Sequence, residues 1–280
     1  MGRRGGVSVP GGVPEAMADP DPSAPAVGPA GTLRPEAAWY DRHYEVLQPD
    51  MPPWYAHLLP VLRRRLQPGM RLLECGCGQG HGLRYLAAEG LLPAGQIYGV
   101  DQSRTAIEFV RARLPGATFE VMDLAGLRFG DGMFDMVLLM ETIEHLEDPG
   151  PALAEMGRVL KPGGWLFLSF PNYLHLPWWV VRVLAEKLNR PGWIVLQPID
   201  RVYTVLGVIR RVRRAGLVFT GGTGSIYGPP VLYRYEPGWL TTALNRLGLY
   251  ALSFHPILSF RKPEPTSGEA PSNPVESRGL

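Results

Sequence analysis

The sequence is poor in cysteine and has little net charge. Cys75 and Cys77 are the only cysteines in 280 residues. They are too close for a ready disulfide and too few for a zinc site, so we expect neither a disulfide nor a bound metal. Few cysteines favour a reducing, cytoplasmic location. The 28 basic and 26 acidic residues leave a net charge of +2, which gives no support for a nucleic-acid partner.

The sequence also lacks long hydrophobic runs. No stretch of about 18 uncharged apolar residues occurs, so no transmembrane helix is expected. Arg3 and Arg4 are followed by Gly, Pro and Ser rather than by an apolar segment, so no signal peptide is expected. With 45% hydrophobic residues, the chain can nevertheless bury a core.

Both ends are rich in Gly, Pro, Ala and Ser, a composition that cannot form a packed core. We therefore predict disordered tails at 1–34 and 263–280, and a single folded domain at 35–262.

Inside this domain, short apolar runs alternate with helical patterns. Strands are predicted at 70–73, 96–100, 118–122, 134–140, 165–170, 217–220 and 251–261. Helices are predicted at 83–89, 104–113, 153–160, 204–215 and 237–247. This alternation predicts an α/β fold, a Rossmann-like doubly wound, mostly parallel sheet with helices on both faces. The glycine-rich stretch 221–230 is interpreted as a mobile linker.

An apolar insertion, 173–203, follows the fifth strand and is interpreted as a substrate lid. It contains Trp178 and Trp179 together with scattered basic residues. Three interpretations remain open: a helix packed on the domain, a wall for a hydrophobic or aromatic acceptor, and a helix over 176–195 at a membrane surface.

Glycines alternate after the first predicted strand, at Gly76, Gly78, Gly80 and Gly82. Glycine lets the backbone approach a ligand closely at the carboxyl end of a strand. A dinucleotide site would need Gly-x-Gly-x-x-Gly, but His81 and Leu83 occupy the third glycine position in the two registers. A nicotinamide site is therefore not indicated, and a simple tight turn is the alternative.

Acidic residues lie at the ends of three successive predicted strands: Glu74, Asp101 and Asp123. Each alone is commonly a helix cap or a solvated loop residue. Three at one edge of a sheet instead indicate a ligand site, in which Asp101 can accept ribose hydroxyls and Asp123 an adenine amino group.

These segments together resemble the class I S-adenosylmethionine-dependent methyltransferases, in particular the small-molecule type that includes ubiquinone and menaquinone biosynthesis enzymes. The resemblance runs from Trp39 to Asn172, and its motifs are Leu72–Gly80, Val100–Ser103, Met122–Leu124, Phe134–Pro149 and Leu160–Asn172. It implies a seven-stranded sheet and S-adenosylmethionine as cofactor, with S-adenosylhomocysteine as product.

The resemblance also implies residue roles. Glu74 and the backbone of Gly76 and Gly78 would hold the methionine part, and the Met140 carbonyl would accept from its amino group. Around the nucleoside, Asp101 would bind the ribose, Gln102 would flank the adenine, and Asp123 with Leu124 would read its edge. The further expected cofactor residues are Cys75, Met122, Glu141, Tyr40 and Tyr44. The two tyrosines lie in an aromatic segment that would cover the cofactor or, alternatively, only pack on the core.

Three histidines are candidate general bases: His145, His175 and His255. His145 follows the fourth strand and would lie beside the transferred methyl group, or would only hold its own loop together. His175, in the insertion, could line the acceptor site. His255, before Pro256, is interpreted as structural.

We therefore expect an enzyme that methylates a small, apolar or aromatic molecule. The alternative is a non-catalytic S-adenosylmethionine-binding partner or scaffold. A nucleic-acid methyltransferase is not expected, because no Asn-Pro-Pro-Tyr-type base pocket or basic aromatic groove occurs. The acceptor atom and the oligomeric state are left open.

Overall fold

The computed structural model describes residues 36–45, 53–172, 175–176, 180, 183–184, 187, 198–199, 201–228 and 238–265. Tail 1–34, most of tail 263–280 and most of the lid, including Trp178 and Trp179, lie outside the described residues. Among the described residues, no helix is long and apolar enough to cross a bilayer.

Strands and helices alternate along most of the described chain. The strands are β1 Leu72–Cys75, β2 Ile97–Asp101, β3 Thr118–Val121, β4 Phe134–Met140, β5 Leu160–Ser169, β6 Val218–Ser225 and β7 His255–Arg261. The helices are α1 Ala37–His43, α2 Pro53–Arg65, α3 His81–Ala88, α4 Arg104–Arg113, α5 Pro149–Val159, α6 Val205–Arg214 and α7 Gly238–Arg246.

The seven strands form one sheet in the order β3-β2-β1-β4-β5-β7-β6. β7 is antiparallel to both of its neighbours, and the pairs from β3 to β5 are parallel. This confirms the predicted doubly wound, mostly parallel sheet. Because β1 and β4 lie side by side at its centre, the loops that follow them meet at one edge.

The core has two layers, one on each face of the sheet. On one face, α5 and α6 pack against alternate strand residues such as Leu73, Val137 and Leu168. On the other, α2, α3 and α4 pack against Leu72 and Leu138. Since β4 is buried on both faces, its sequence, which is apolar except for Asp135, forms a strand, as predicted.

Several element boundaries differ from the predictions. α5 begins at Pro149 rather than at Leu153, because the Asp148 carboxylate caps it by accepting from the Gly150 N–H at 2.9 Å. β1 ends at Cys75 rather than at Leu73. Helix α2 was not predicted, although Tyr55, Leu58 and Leu62 are buried at helical spacing.

The predicted mobile linker at 221–230 is wrong in its first half. Gly221–Ser225 belongs to β6, where Gly221 pairs with Ser259 and Ser225 with His255. Glycine disfavours strands when it stands alone, but here the adjacent β7 supplies the backbone partners. Tertiary pairing therefore overrides the local sequence preference.

Candidate functional site

An open cleft of about 650 Å³ lies at the carboxyl ends of the central strands. Ligands in open α/β sheets bind at this edge, beside the point where the strand order reverses. The cleft is lined by the loops after β1 to β4 and by the segment around α1. Its residues are Glu36, Tyr40, Tyr44, Gly76, Asp101, Gln102, Met122, Asp123, Leu124, Glu141, Thr142, His145 and Leu146.

Most of the predicted site residues are therefore brought together. The exceptions are Glu74, Cys75, Gly78, Met140 and His175, which do not line the cleft. Cys75 is a buried free thiol whose pKa is raised by burial, so it packs in the core and offers no group to a ligand. The other four exceptions each have a structural reason.

The glycine loop after β1 needs glycine in two places. Gly76 and Gly78 have φ angles of 72° and 49°, in the left-handed region. A methyl group at Gly76 would lie 2.5 Å from Thr142 Oγ1, and one at Gly78 would lie 2.7 Å from the Tyr44 hydroxyl oxygen. A side chain at either position would push away residues that line the cleft, so the loop forms a close backbone wall.

Asp101 ends β2 with its carboxylate fixed by the backbone. Oδ2 accepts from the Gly78 N–H at 2.9 Å, and Oδ1 accepts from the Ser103 N–H at 2.8 Å. Burial raises the pKa of Asp101 in spite of these hydrogen bonds. The Gly78 N–H that was expected to face the methionine part is taken up here. Each carboxylate oxygen keeps acceptor capacity for a ligand hydroxyl.

Glu74 lies buried beneath the glycine loop. The Tyr55 hydroxyl of α2 donates to its Oε1, whereas Oε2 has no partner within the described part of the chain. Burial, with a smaller effect of Asp101, raises the pKa of Glu74 to about 8. A buried carboxyl oxygen without a partner is costly unless a ligand or water completes it.

Asp123 and Met140 also take part in local turns. Asp123 Oδ1 accepts from the Ala125 N–H at 2.9 Å while the residue lines the cleft. The Met140 carbonyl, which was expected to receive the methionine amino group, accepts from the Thr142 hydroxyl at 2.9 Å. Both acceptors have remaining lone pairs, but neither is dedicated to a ligand.

The candidate bases His145 and His175 lie in different places. His145 lines the cleft, with Nδ1 2.8 Å from the Ile199 carbonyl and Nε2 3.7 Å from Glu144 Oε1. His175 is buried, and its Nε2 lies 2.9 Å from the Tyr227 carbonyl. His175 therefore does not line the described cleft, because its side chain reaches the segment that follows β6 instead.

A contact between Glu141 and His255 was not predicted. Glu141 Oε2 lies 2.8 Å from His255 Nδ1 at the start of β7. His255, interpreted as structural, thus lies directly behind a residue of the cleft. Glu36, Thr142, Leu146 and Tyr55 were also missed. Only Tyr55 had a sequence signal, the helical spacing of apolar residues in α2.

The cleft fits the cofactor that the resemblance implies. S-Adenosylmethionine carries a sulfonium and an ammonium group, and the lining includes the carboxylates of Glu36, Asp101, Asp123 and Glu141. The open oxygen of Glu74 and the close backbone at Gly76 add a buried acceptor and space for a ligand. Charge, acceptors and shape therefore agree with a cationic nucleoside ligand.

Comparisons with known sequences agree with S-adenosylmethionine as the ligand. A family model described as a methyltransferase domain matches residues 73–168. A ubiquinone biosynthesis O-methyltransferase of Thiobacillus denitrificans is 30% identical over 177 residues, covering 60% of this chain and 73% of that protein. A 2-methyl-6-phytyl-1,4-hydroquinone methyltransferase of Synechocystis sp. is 30% identical, covering 63% of this chain and 54% of its own length. Against four other curated relatives, the chain spans only 32 to 56% of their length.

Solved structures share the fold. An S-adenosylmethionine-dependent methyltransferase of Thermotoga maritima matches with a TM-score of 0.54 at 23% identity. The match covers 75% of this chain and 89% of that one. The sheet and its covering helices therefore belong to a known Rossmann-like architecture.

Proposed function

Because the chain belongs to the S-adenosylmethionine-dependent methyltransferases of the small-molecule type, we propose that it methylates a small, hydrophobic acceptor. The observation that carries the proposal is the acidic cleft at the carboxyl ends of β1, β2 and β4. Asp101 and the backbone at Gly76 line it, and Glu74 lies buried beneath it with one oxygen open. This arrangement can hold a cationic nucleoside at a fixed position.

Within this proposal, the nucleoside lies along the loops after β2 and β3. Asp101 accepts the ribose hydroxyls and Gln102 flanks the adenine, while Asp123 and Leu124 contact the adenine edge. Tyr40, Tyr44 and Met122 complete the walls. Glu74 lies under the methionine part, where it can interact with the ammonium group.

The reaction is an in-line displacement at the methyl carbon. The sulfonium supplies an already activated methyl group, so the protein's main contribution is to position the acceptor. The acceptor's lone pair forms the new bond to the methyl carbon, and the electrons of the broken carbon–sulfur bond return to sulfur. A base is required where the acceptor is a hydroxyl that must lose its proton.

His145 is the base in this proposal. A carbonyl oxygen only accepts, so the contact with Ile199 places the proton of the neutral ring on Nδ1. Nε2 then carries a lone pair in a residue that lines the cleft. Histidine titrates near neutral pH, which suits a general base.

The proposal that the acceptor is apolar rests on the residues of the lid. Its described residues include Leu176, Val180 and Leu184, whose exposed fractions are 68%, 43% and 47%. Exposed leucines and valines so close together favour an apolar acceptor or a membrane surface. Flotation with liposomes tests the membrane contact, which stays a prediction.

Methyl transfer itself can be tested with labelled cofactor. The protein is incubated with S-adenosylmethionine carrying a tritiated methyl group and a small-molecule extract of its source. We expect a labelled product of low molecular mass, which is lost in Asp101→Ala. Binding of S-adenosylhomocysteine without any labelled product would instead favour the non-catalytic alternative.

A further inference from the structure

Glu141 has an unusual backbone conformation for a residue that lines the cleft. It follows β4 with φ at 48°, a left-handed conformation that non-glycine residues seldom adopt. Its N–H points to the Ser169 carbonyl and hydroxyl oxygens, both at 3.2 Å. Such strain persists only where the surroundings impose it, and it often marks a functional residue.

One carboxylate oxygen of Glu141 is hydrogen-bonded from behind, and the other has a close polar neighbour there. The Ser169 hydroxyl donates to Oε1 at 2.6 Å, and His255 Nδ1 lies 2.8 Å from Oε2, a close contact that lacks the alignment of a hydrogen bond. Ser169 and His255 are buried in β5 and β7, whereas Glu141 reaches the cleft. The two strands therefore fix the direction of a carboxylate that remains accessible to a ligand.

The charge around this carboxylate is one-sided. Of the described residues that line the cleft, four are acidic and none is lysine or arginine. Glu141, Thr142, His145 and Leu146 form the end of the cleft that follows β4. A group that enters at this end meets a fixed carboxylate with no lysine or arginine beside it in the described lining.

We propose that His255 is a positioning residue that, with Ser169, fixes the Glu141 carboxylate at the acceptor end, so that the enzyme selects neutral or cationic acceptors carrying a hydrogen-bond donor. The inference rests on the proposed function and adds the class of acceptor to it. Anionic acceptors are disfavoured because Glu141 would repel them, whereas a hydroxyl or an amine can donate to its carboxylate.

The test uses binding, so that it does not depend on identifying the acceptor. Two analogues of S-adenosylhomocysteine carry nitrogen in place of sulfur, with a short arm toward the acceptor. The arm ends in an amine in one analogue and in a carboxylate in the other. Their dissociation constants and that of S-adenosylhomocysteine are measured by calorimetry on the full chain.

We expect the wild type to bind the amine analogue more tightly by at least about tenfold, which corresponds to about 1.4 kcal/mol. Glu141→Gln and His255→Leu should each remove most of this preference, and His255→Leu should leave S-adenosylhomocysteine binding within about twofold. His255→Asn should restore part of it, because the Asn amide nitrogen can occupy the position of Nδ1.

His175→Leu is the matched control. His175 is a second buried histidine, and both histidines contact the ring of Phe254, at 5.7 Å for His175 and 4.3 Å for His255. Since His175 does not line the cleft, its replacement should leave the preference unchanged.

The outcomes separate the two proposals. If the wild type binds none of the three ligands, the proposed function fails. If S-adenosylhomocysteine binds but the wild type shows no preference, or if Glu141→Gln or both His255 variants keep the preference, the inference alone is overturned. A loss of S-adenosylhomocysteine binding in Glu141→Gln would assign Glu141 to the methionine part and also overturn it.

Discussion

At the scale of single residues, the site depends on buried acids whose charge the fold makes costly. Glu74 and Asp101 are both buried, and burial raises the pKa of each. A cationic ligand compensates for this cost, and hydrogen bonds to each charged carboxylate reduce it further. The ligand-free protein is therefore less stable than the ligand-bound protein.

Glu74→Gln is expected to stabilise the unliganded protein at high pH. The folded-state pKa of Glu74 is about 8 against an ordinary value of 4.5, so the folded state holds a proton that the unfolded state has lost. Wild-type stability therefore falls as pH rises from 4.5 toward 8. The variant should gain on the order of a few kcal/mol over the wild type at pH 9, and little at pH 5. Urea unfolding at both pH values measures this, and a pH-independent difference would be inconsistent with it.

His145→Ala is expected to abolish turnover and to leave cofactor binding intact. A positioned general base contributes roughly 100-fold or more to the rate. Transfer of labelled methyl groups to the acceptor, compared with S-adenosylhomocysteine binding, separates the two effects. A variant that keeps its turnover would show that His145 only holds its loop.

At the scale of elements, the Asp41 carboxylate connects α1 to the site. Asp41 accepts from the Ser103 hydroxyl at 2.7 Å and from the Thr105 N–H at 3.0 Å, at the start of α4. Burial acts to raise the pKa of Asp41, but these hydrogen bonds outweigh it and the pKa is lowered. The same helix brings Tyr40 to the cleft, and Tyr44 follows its last residue and also lines the cleft. Asp41 therefore connects the start of α4 to the segment that covers the cleft.

Asp41→Ala should therefore speed ligand release. We expect S-adenosylhomocysteine to dissociate about tenfold faster, from the loss of about 1.4 kcal/mol of hydrogen bonding. Stopped-flow displacement measures the rate. Asp131→Ala is the control, because Asp131 is exposed and bonds to Arg158 away from the cleft. Equal rates in the wild type and Asp41→Ala would refute the role of α1.

A second prediction at this scale concerns the glycines of β6. A methyl group at Gly224 would lie 2.5 Å from Ser253 Oγ, so Gly224→Ala should cost about 1–3 kcal/mol of stability through overpacking. Gly95→Ala is the control, since nothing lies within 4 Å of its added methyl group. Thermal unfolding compares them; if 221–225 were a linker instead of a strand, both substitutions would be tolerated.

Elements with a strong local pattern were predictable from the sequence, and contacts between distant elements were not. The apolar run Phe134–Met140, interrupted at Asp135, and the cap at Ser103 gave correct elements because their signals are local. The second half of β6, 221–225, was missed because its pairing partner is β7. The contact between His255 and Glu141 was missed because the two residues are far apart in the sequence and are brought together by the antiparallel β7.

At the scale of the whole molecule, the order of the strands in the sheet explains how residues from separate sequence motifs come together in one site. The strands β2, β1 and β4 are neighbours in space, although β3 separates β2 from β4 in the sequence. This order gathers Asp101, Glu74 and Glu141 at one edge. The nucleoside part of the proposed site follows from local motifs, whereas the contact behind Glu141 depends on β7.

The most direct test of the account is the affinity of the purified chain for S-adenosylhomocysteine, measured by isothermal titration calorimetry. The account predicts one site per chain, with binding that is strongly weakened by Asp101→Ala. It also predicts a rise in melting temperature with ligand concentration, because the ligand binds only the folded state. No binding at millimolar ligand would contradict it.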